Sequence, residues 1–300
     1  MTLDYKNDYS NIVSQAVNKK YRKRMFVNKF VTIGTVICVI AAIIPLASIL
    51  IEVVRNGISA ISFEFLTQPQ GSIGSGSGGI APAIQETIIV VGLAAAIATP
   101  VGVLTGIYLS EFAKEGIFPN TVRFFNDVLT GLPSIVIGIV GYVTIVLTTG
   151  SFSVMAGALS LSIIMMPIVV RVTEETLKVV PYSLREAGHS LGLSKAKITL
   201  FIVLPAAKDG ILTGIVIAIS RIAGETAPLI MTILGTSLFF TGITGPVDAL
   251  PLRIWRLASQ PYESAHAFGW GSALILILMI LALSMGLRLL IQRKSYKPVT

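Results

Sequence analysis

The chain has 300 residues, 53% of them apolar and only 13% charged, with a net charge of +8. Soluble domains carry about 25% charged residues, so this share points to a bilayer, where long apolar runs leave little room for charge. One cysteine, Cys38, and two histidines, His189 and His266, exclude a disulfide framework and a histidine metal cluster.

The first 29 residues are polar and basic. The apolar run after them is too long for the core of a cleavable signal peptide, so it reads as an uncleaved anchor. Phe30 to Ile51 is free of charge, and its length as a helix, about 33 Å, crosses a hydrocarbon core of about 30 Å. Further runs predict spans at about 87–110, 128–149, 152–170, 211–236 and 267–287. The expected fold is all-α: a polytopic membrane protein with six transmembrane helices, bounded by an N-terminal segment 1–29 and a tail 291–300.

Charge sets the orientation. Lys and Arg number nineteen in the segments on one side of the predicted spans and three on the other. The positive-inside rule then places both termini in the cytoplasm, and the net charge reads as membrane orientation, with no nucleic acid implied.

Segment 71–79 is built of Gly and Ser around Ile73 and reads as a solvated linker on the outer side. It lacks the Gly-Lys-Ser/Thr of a phosphate-cradling P-loop, and so does the rest of the chain. This chain is therefore not expected to hydrolyse ATP or to act as an enzyme, and no bound cofactor is expected. The second run is rich in small residues, among them Ala94, Ala98, Gly102 and Gly106, which let helix backbones approach closely in lipid.

Segment 171–210 is predicted as the one long inner loop between spans. Pro181 suits the opening of a short helix, Gly192 its end, and a second helix runs from about Ser194 until Pro205 disturbs it. Ala187 and Gly188 leave a low face for a partner. The order Glu186-Ala187-Gly188, three residues, Gly192, nine residues, Ile202-Val203-Leu204-Pro205 resembles the EAA loop of ABC importer permeases, with Gly188 in place of the second alanine. The resemblance implies a type I importer permease fold in which Glu186, Ala187, Gly188, Gly192, Leu204 and Pro205 couple to a cytosolic ATP-binding subunit.

Arg221 and Glu225 stand well inside the fifth predicted span. Each costs about 2.5–3.5 kcal/mol at mid-bilayer, so such charges face protein or a water-filled cavity. Four apart, they are expected on one helix face. Pro228 disturbs the carbonyl of Gly224 on the same turn. The stretch Arg221 to Pro228 is similar to the signature of phosphate-specific (Pst-type) permeases, A-subunit branch. Agreement extends through Gly78 to Ile80, Tyr108 to Glu111, Pro133 to Val136, Pro167 to Arg171 and Ser183 to Ala187.

The resemblance implies a phosphate importer of the inner membrane. In it this chain lines the path, a second homologous permease subunit faces it, and an extracytoplasmic phosphate-binding protein delivers the anion. Arg221 then attracts phosphate and Glu225 keeps the site from trapping it, while Arg171, at the inner end of span four, is either an exit-path group or a positive-inside anchor. A purely structural Arg221–Glu225 ion pair is the competing reading. Transport of sulfate or molybdate shares the docking loop, and a secondary transporter using the pair as a charge relay leaves that loop unexplained. The sequence itself leaves homodimer and heterodimer open.

Overall fold

The computed structural model describes residues 4–71 and 77–295, with side chains at 21, 23–71 and 77–289. The ends of the predicted N-terminal segment and tail, and the middle of the Gly/Ser linker, lie outside the described residues. The fold is all-α. Among the described residues, β pairing is confined to two isolated bridges, Gln70 with Gly78 and Leu234 with Val247. Among the described residues, five helices are long and apolar enough to cross a membrane, and a pair bent by 103° makes six if it counts as one span. The chain is a multi-pass membrane protein.

Residues 1–55 form one unit and 56–300 another. The first unit consists of helix α1, Asp4–Gly57, whose last two residues belong to the second unit. The basic N-terminal segment thus continues into the apolar run as one helix. Side chains 23–50 are exposed all round apart from half-buried Ala47. An apolar helix exposed on every side is matched to lipid, not water.

The second unit begins with short helix α2, Phe63–Thr67, capped by Ser62, whose Oγ accepts the Phe65 N–H. The flanks of the Gly/Ser segment close on each other: Gly71 N donates to Ser77 O at 3.2 Å and Gly79 N to Pro69 O at 2.9 Å. Helix α3, Ala81–Ile107, runs into a π-turn, Tyr108–Phe112. It starts six residues before the predicted span, so Glu86, expected outside, lies inside the helix and is buried.

The third predicted span, 128–149, is divided. Helix α4, Ile117–Gly131, ends where Leu132 turns extended (φ −71°, ψ 138°) ahead of Pro133. The proline ring excludes the helical region for the residue before it. Helix α5, Ser134–Gly141, then leaves at 103° to α4, and a π-turn, Tyr142–Val146, leads into the last turn, α6, Leu147–Thr149.

Helix α7, Val154–Val179, is the most deeply buried crossing and outruns its predicted end at 170. The charges that made 171–179 read as loop pair along the helix: Arg171 with Glu175 at 2.7 Å and Lys178 with Glu174 at 2.6 Å, both four apart. Helix α8, Tyr182–Ser190, follows, then α9, Lys195–Ile198, a π-turn, Thr199–Val203, and α10, Leu204–Ala223. From Lys195 to Ala223 the helix is continuous. Pro205 does not end it: the π-turn bonds Leu204 N back to Thr199 O, and the proline enters α10 in its first turn, where a missing N–H costs little. The expected long loop 171–210 therefore shrinks to the segment around α8.

The fifth predicted span, 211–236, stops at Ala223, with Gly224 as its cap. Helix α11, Ala227–Thr232, is a separate short piece opened by Pro228. Helices α12, Leu250–Ala258, and α13, Glu263–Ser295, complete the unit.

Small residues set the packing around α7. On α3, a Cβ at Gly102 would meet Val169 at 2.8 Å, and one at Gly106 would meet Thr173 at 2.6 Å. On α10, a Cβ at Gly210 would meet Thr176 at 2.4 Å and one at Gly214 Val172 at 2.0 Å. Two glycine pairs, each spaced four apart, thus clamp α7 from two sides, as expected where close backbone approach replaces the hydrophobic drive lost in lipid.

Candidate functional site

Arg221 and Glu225 are brought together, but not on one helix face. Arg221 sits in the last turn of α10, and Glu225 lies beyond its end in a tight turn where Glu225 N donates to Ile222 O at 3.2 Å. Arg221 Nε stands 4.0 Å from Glu225 Oε1. The Arg221 side chain is 61% exposed and that of Glu225 20%. Pro228 does not bend the helix carrying these groups; it starts the next one, packed against Gly138 of α5. The break places a cation, an anion and backbone freed from the helical ladder at one point, open to the outside of the chain.

Arg171 is held elsewhere. Its guanidinium binds Asp127 of α4 at 3.2 Å and Glu175 at 2.7 Å. Beside it, Arg123 of α4 binds Glu174 at 2.9 Å and donates to Leu109 O at 3.2 Å. These groups line a cleft of about 170 Å³ between α4 and α7, in which cations and carboxylates are balanced. Asn126 Nδ2 donates to the carbonyl of Pro167 at 3.3 Å, a third polar tie between these helices.

The predicted coupling residues form a hairpin. Helix α8 opens after Pro181, and Gly192 takes the left-handed conformation (φ +73°) that ends it. Glu186, Ala187 and Gly192 are exposed, Leu204 is half-buried and Pro205 exposed. Gly188 is buried against the hairpin's own second arm, where a Cβ would meet Ile198 at 2.8 Å and Ile202 at 3.1 Å. The low face expected to receive a partner at Gly188 is thus filled from within.

Sequence reasoning passed over two buried ion pairs. At the α8 end, Arg185 forks onto Glu111 at 2.6 and 3.2 Å. At the other end of the bundle, Arg253 is 1% exposed and pairs with fully buried Asp248, while also binding Gln70 and donating to Thr236 O at 2.8 Å. Glu86 accepts the Asp248 N–H at 2.6 Å, and Thr87 Oγ1 accepts that of Leu250 at 2.8 Å. Burial pushes the Asp248 carboxyl above its ordinary value, against the pull of Arg253. Arg253 reads as an ordinary loop charge, because its partner Gln70 lies 183 residues away in another loop.

The family model described as "Binding-protein-dependent transport system inner membrane component" matches residues 98–296. The phosphate transport system permease protein PstA of Yersinia pestis is 34% identical over 296 residues, 99% of this chain and all of the relative. That of Haemophilus influenzae is 36% identical over 278 residues, 93% of this chain and 98% of the relative. A probable PstA of Methanocaldococcus jannaschii is 36% identical over 248 residues, 82% and 87%.

Among solved structures, an inward-facing MetNI methionine ABC transporter chain superposes with TM-score 0.59 at 16% identity, covering 70% of this chain and 94% of that one. An amino acid ABC transporter chain gives 0.54 at 20%, covering 71% and 92%. These two likenesses concern the fold, that of a type I importer permease. Similarity carried over almost the whole chain means that this protein belongs to the inner-membrane components of binding-protein-dependent transport systems, in the family of the PstA permeases.

Proposed function

We propose that the chain is the membrane-spanning permease subunit of an ATP-driven phosphate importer, forming part of the anion path and passing the work of a cytosolic ATPase to it. Full-length similarity to phosphate transport permeases is the observation that carries this reading. The α8 end faces the cytoplasm, as the positive-inside bias requires, and both termini lie on that side. The exposed face of α8, with Glu186 and Ala187, docks in the ATPase. A second homologous permease covers the open side of Arg221 and Glu225, and an extracytoplasmic phosphate-binding protein delivers the anion.

Arg221 draws phosphate into the path, because a guanidinium fork suits its oxygens. Glu225, 4.0 Å away, competes for that guanidinium and keeps the anion from being trapped. Asp127 and Glu175 already occupy Arg171, which favours its role as an anchor of α7 on α4 over an exit-path role.

The test is reconstitution of the copurified complex in proteoliposomes with ATP and labelled phosphate, with sulfate and molybdate as competitors. ATP-dependent uptake of phosphate that neither competitor suppresses is expected. Uptake of sulfate or molybdate in preference overturns the substrate, and uptake without any ATPase in the complex overturns the coupling.

A further inference from the structure

Helix α8 has only nine residues and joins α7 through two, Val180 and Pro181. A helix so short, on so short a link, transmits a push only if something stops it from pivoting. The side chain that does so is Arg185. Its Nε and Nη2 fork onto the two carboxylate oxygens of Glu111 at 3.2 and 2.6 Å. Its Nη1 donates to Val180 O at 2.8 Å, and Nη2 also to Leu177 O at 2.9 Å. Those carbonyls are at the C-terminal end of α7, where a helix leaves acceptors without partners in its own ladder. Glu111 lies in the π-turn that ends the second crossing. Both side chains are removed from solvent, 15% and 5% exposed.

The fork therefore ties three elements at one point: α8, the end of α3 and the end of α7. From there the connection is close-packed. Gly102 and Gly106 seat α3 against α7, and Gly210 and Gly214 seat α10 against α7. Helix α10 carries Arg221 in its last turn and ends at Ala223, two residues before Glu225. A second tie reinforces the first, since Lys195 of α9 lies over the ring of Phe112, 5.7 Å from its centroid, in the same π-turn. A lysine at 185 cannot reproduce the arrangement, because a single ammonium lacks the planar fork that reaches a carboxylate and two carbonyls together.

We propose that Arg185, through Glu111, is the positioning residue that makes α8 rigid with α3 and α7, so that ATPase movement is converted into movement of the anion path. This rests on the permease reading above and adds to it a residue turned inward, away from the docking face. Loss of the fork uncouples hydrolysis from transport without releasing the ATPase.

The experiment uses the whole transporter in proteoliposomes and measures ATP hydrolysed per phosphate imported, with retention of the ATPase checked by pull-down. A wild-type complex that holds an ATPase and imports phosphate secures the underlying reading; one that does neither defeats that reading before any variant is compared. In Arg185→Ala the ATPase stays bound and the ratio of ATP to phosphate rises by roughly two- to thirty-fold, the range for residues that carry coupling between sites. Arg185→Lys falls between that variant and wild type. If Arg185→Ala loses the ATPase, Glu111→Gln decides, since it leaves the bonds from Arg185 to α7 in place. A raised ratio there supports the proposal. An unchanged ratio in an intact complex, whether uptake and hydrolysis persist or fall in proportion, overturns it.

Discussion

Arg221 Nε stands 4.0 Å from Glu225 Oε1, within ion-pair reach but beyond a hydrogen bond. The carboxylate attracts the guanidinium without occupying its donors, which leaves the fork free for an anion. Arg221→Ala is expected to lower phosphate uptake by roughly 10- to 150-fold, the worth of about 1.5–3 kcal/mol in charged hydrogen bonds. Glu225→Gln is expected to act in the opposite sense on binding: half-saturation at lower phosphate, with slower turnover. Initial uptake rates over a range of phosphate concentration separate the two. Unchanged uptake by Arg221→Ala in an assembled complex removes Arg221 from the path.

Why the sequence misdrew the backbone between Arg221 and Glu225 is a matter of what hydropathy measures. Apolar content continues past Ala223 to Leu234, so a single span was the natural reading. What breaks it is local: Gly224 caps α10 and Pro228 opens α11. The same blindness joined the end of α4 to α5 across Pro133. Conversely, charge made 171–179 look like loop, although Arg171–Glu175 and Lys178–Glu174 are helical pairs. The hairpin of α8 and α9 was legible, because Pro181 and Gly192 punctuate it. Arg185–Glu111 and Arg253–Asp248–Gln70 were not. The links Arg185–Glu111 and Arg253–Gln70 join side chains 74 and 183 residues apart, and no periodicity in a sequence reports such a distance.

Close packing of α7 gives a second prediction. A Cβ at Gly214 would lie 2.0 Å from Cγ1 of Val172 and 2.8 Å from its Cβ. Valine is stiff at χ1, so the helices must part. Gly214→Ala is expected to destabilise by about 1–3 kcal/mol, the usual cost of overpacking. Val172→Ala in the same chain removes the methyl at 2.0 Å, though not the Cβ at 2.8 Å, and restores part of the loss. Thermal unfolding in detergent of the two single variants and the double variant checks this. Additive losses mean that the contact does not carry the effect.

The Arg253–Asp248 pair offers a third. Both groups are almost wholly buried, and removing one partner leaves the other charged in a low-dielectric site. Arg253→Ala is expected to cost about 3–5 kcal/mol, while the double change Arg253→Met with Asp248→Asn, which removes the charge of both partners, costs less. The bonds from Arg253 to Gln70 and Thr236 also tie the flank of the Gly/Ser segment to the segment before α12. Protease cleavage near residue 71 is therefore expected to speed up in Arg253→Ala. Stability equal to wild type contradicts a structural role for the pair.

Gly188 supplies the last prediction. It stands where the EAA pattern has its second alanine, and in a helix glycine is worse than alanine by about 1 kcal/mol. Restoring the alanine is not free, because its Cβ would meet Cγ1 of Ile198 at 2.8 Å and Cδ1 of Ile202 at 3.1 Å. These are carbons out along the two isoleucine side chains, Cδ1 at the tip, able to shift where backbone is not. The gain in helix propensity and the cost of displacing two isoleucines are of similar size, so Gly188→Ala alone should leave stability within about 1 kcal/mol of wild type. Trimming the obstacle reveals the gain: Gly188→Ala with Ile198→Ala, which removes Cγ1, is expected to unfold at a higher temperature than Ile198→Ala alone. The ATPase should remain bound in both, since Glu186 and Ala187 keep their exposed positions. If Gly188→Ala instead releases the ATPase at unchanged stability, then position 188 touches the partner, and the hairpin seen in this chain rearranges on docking.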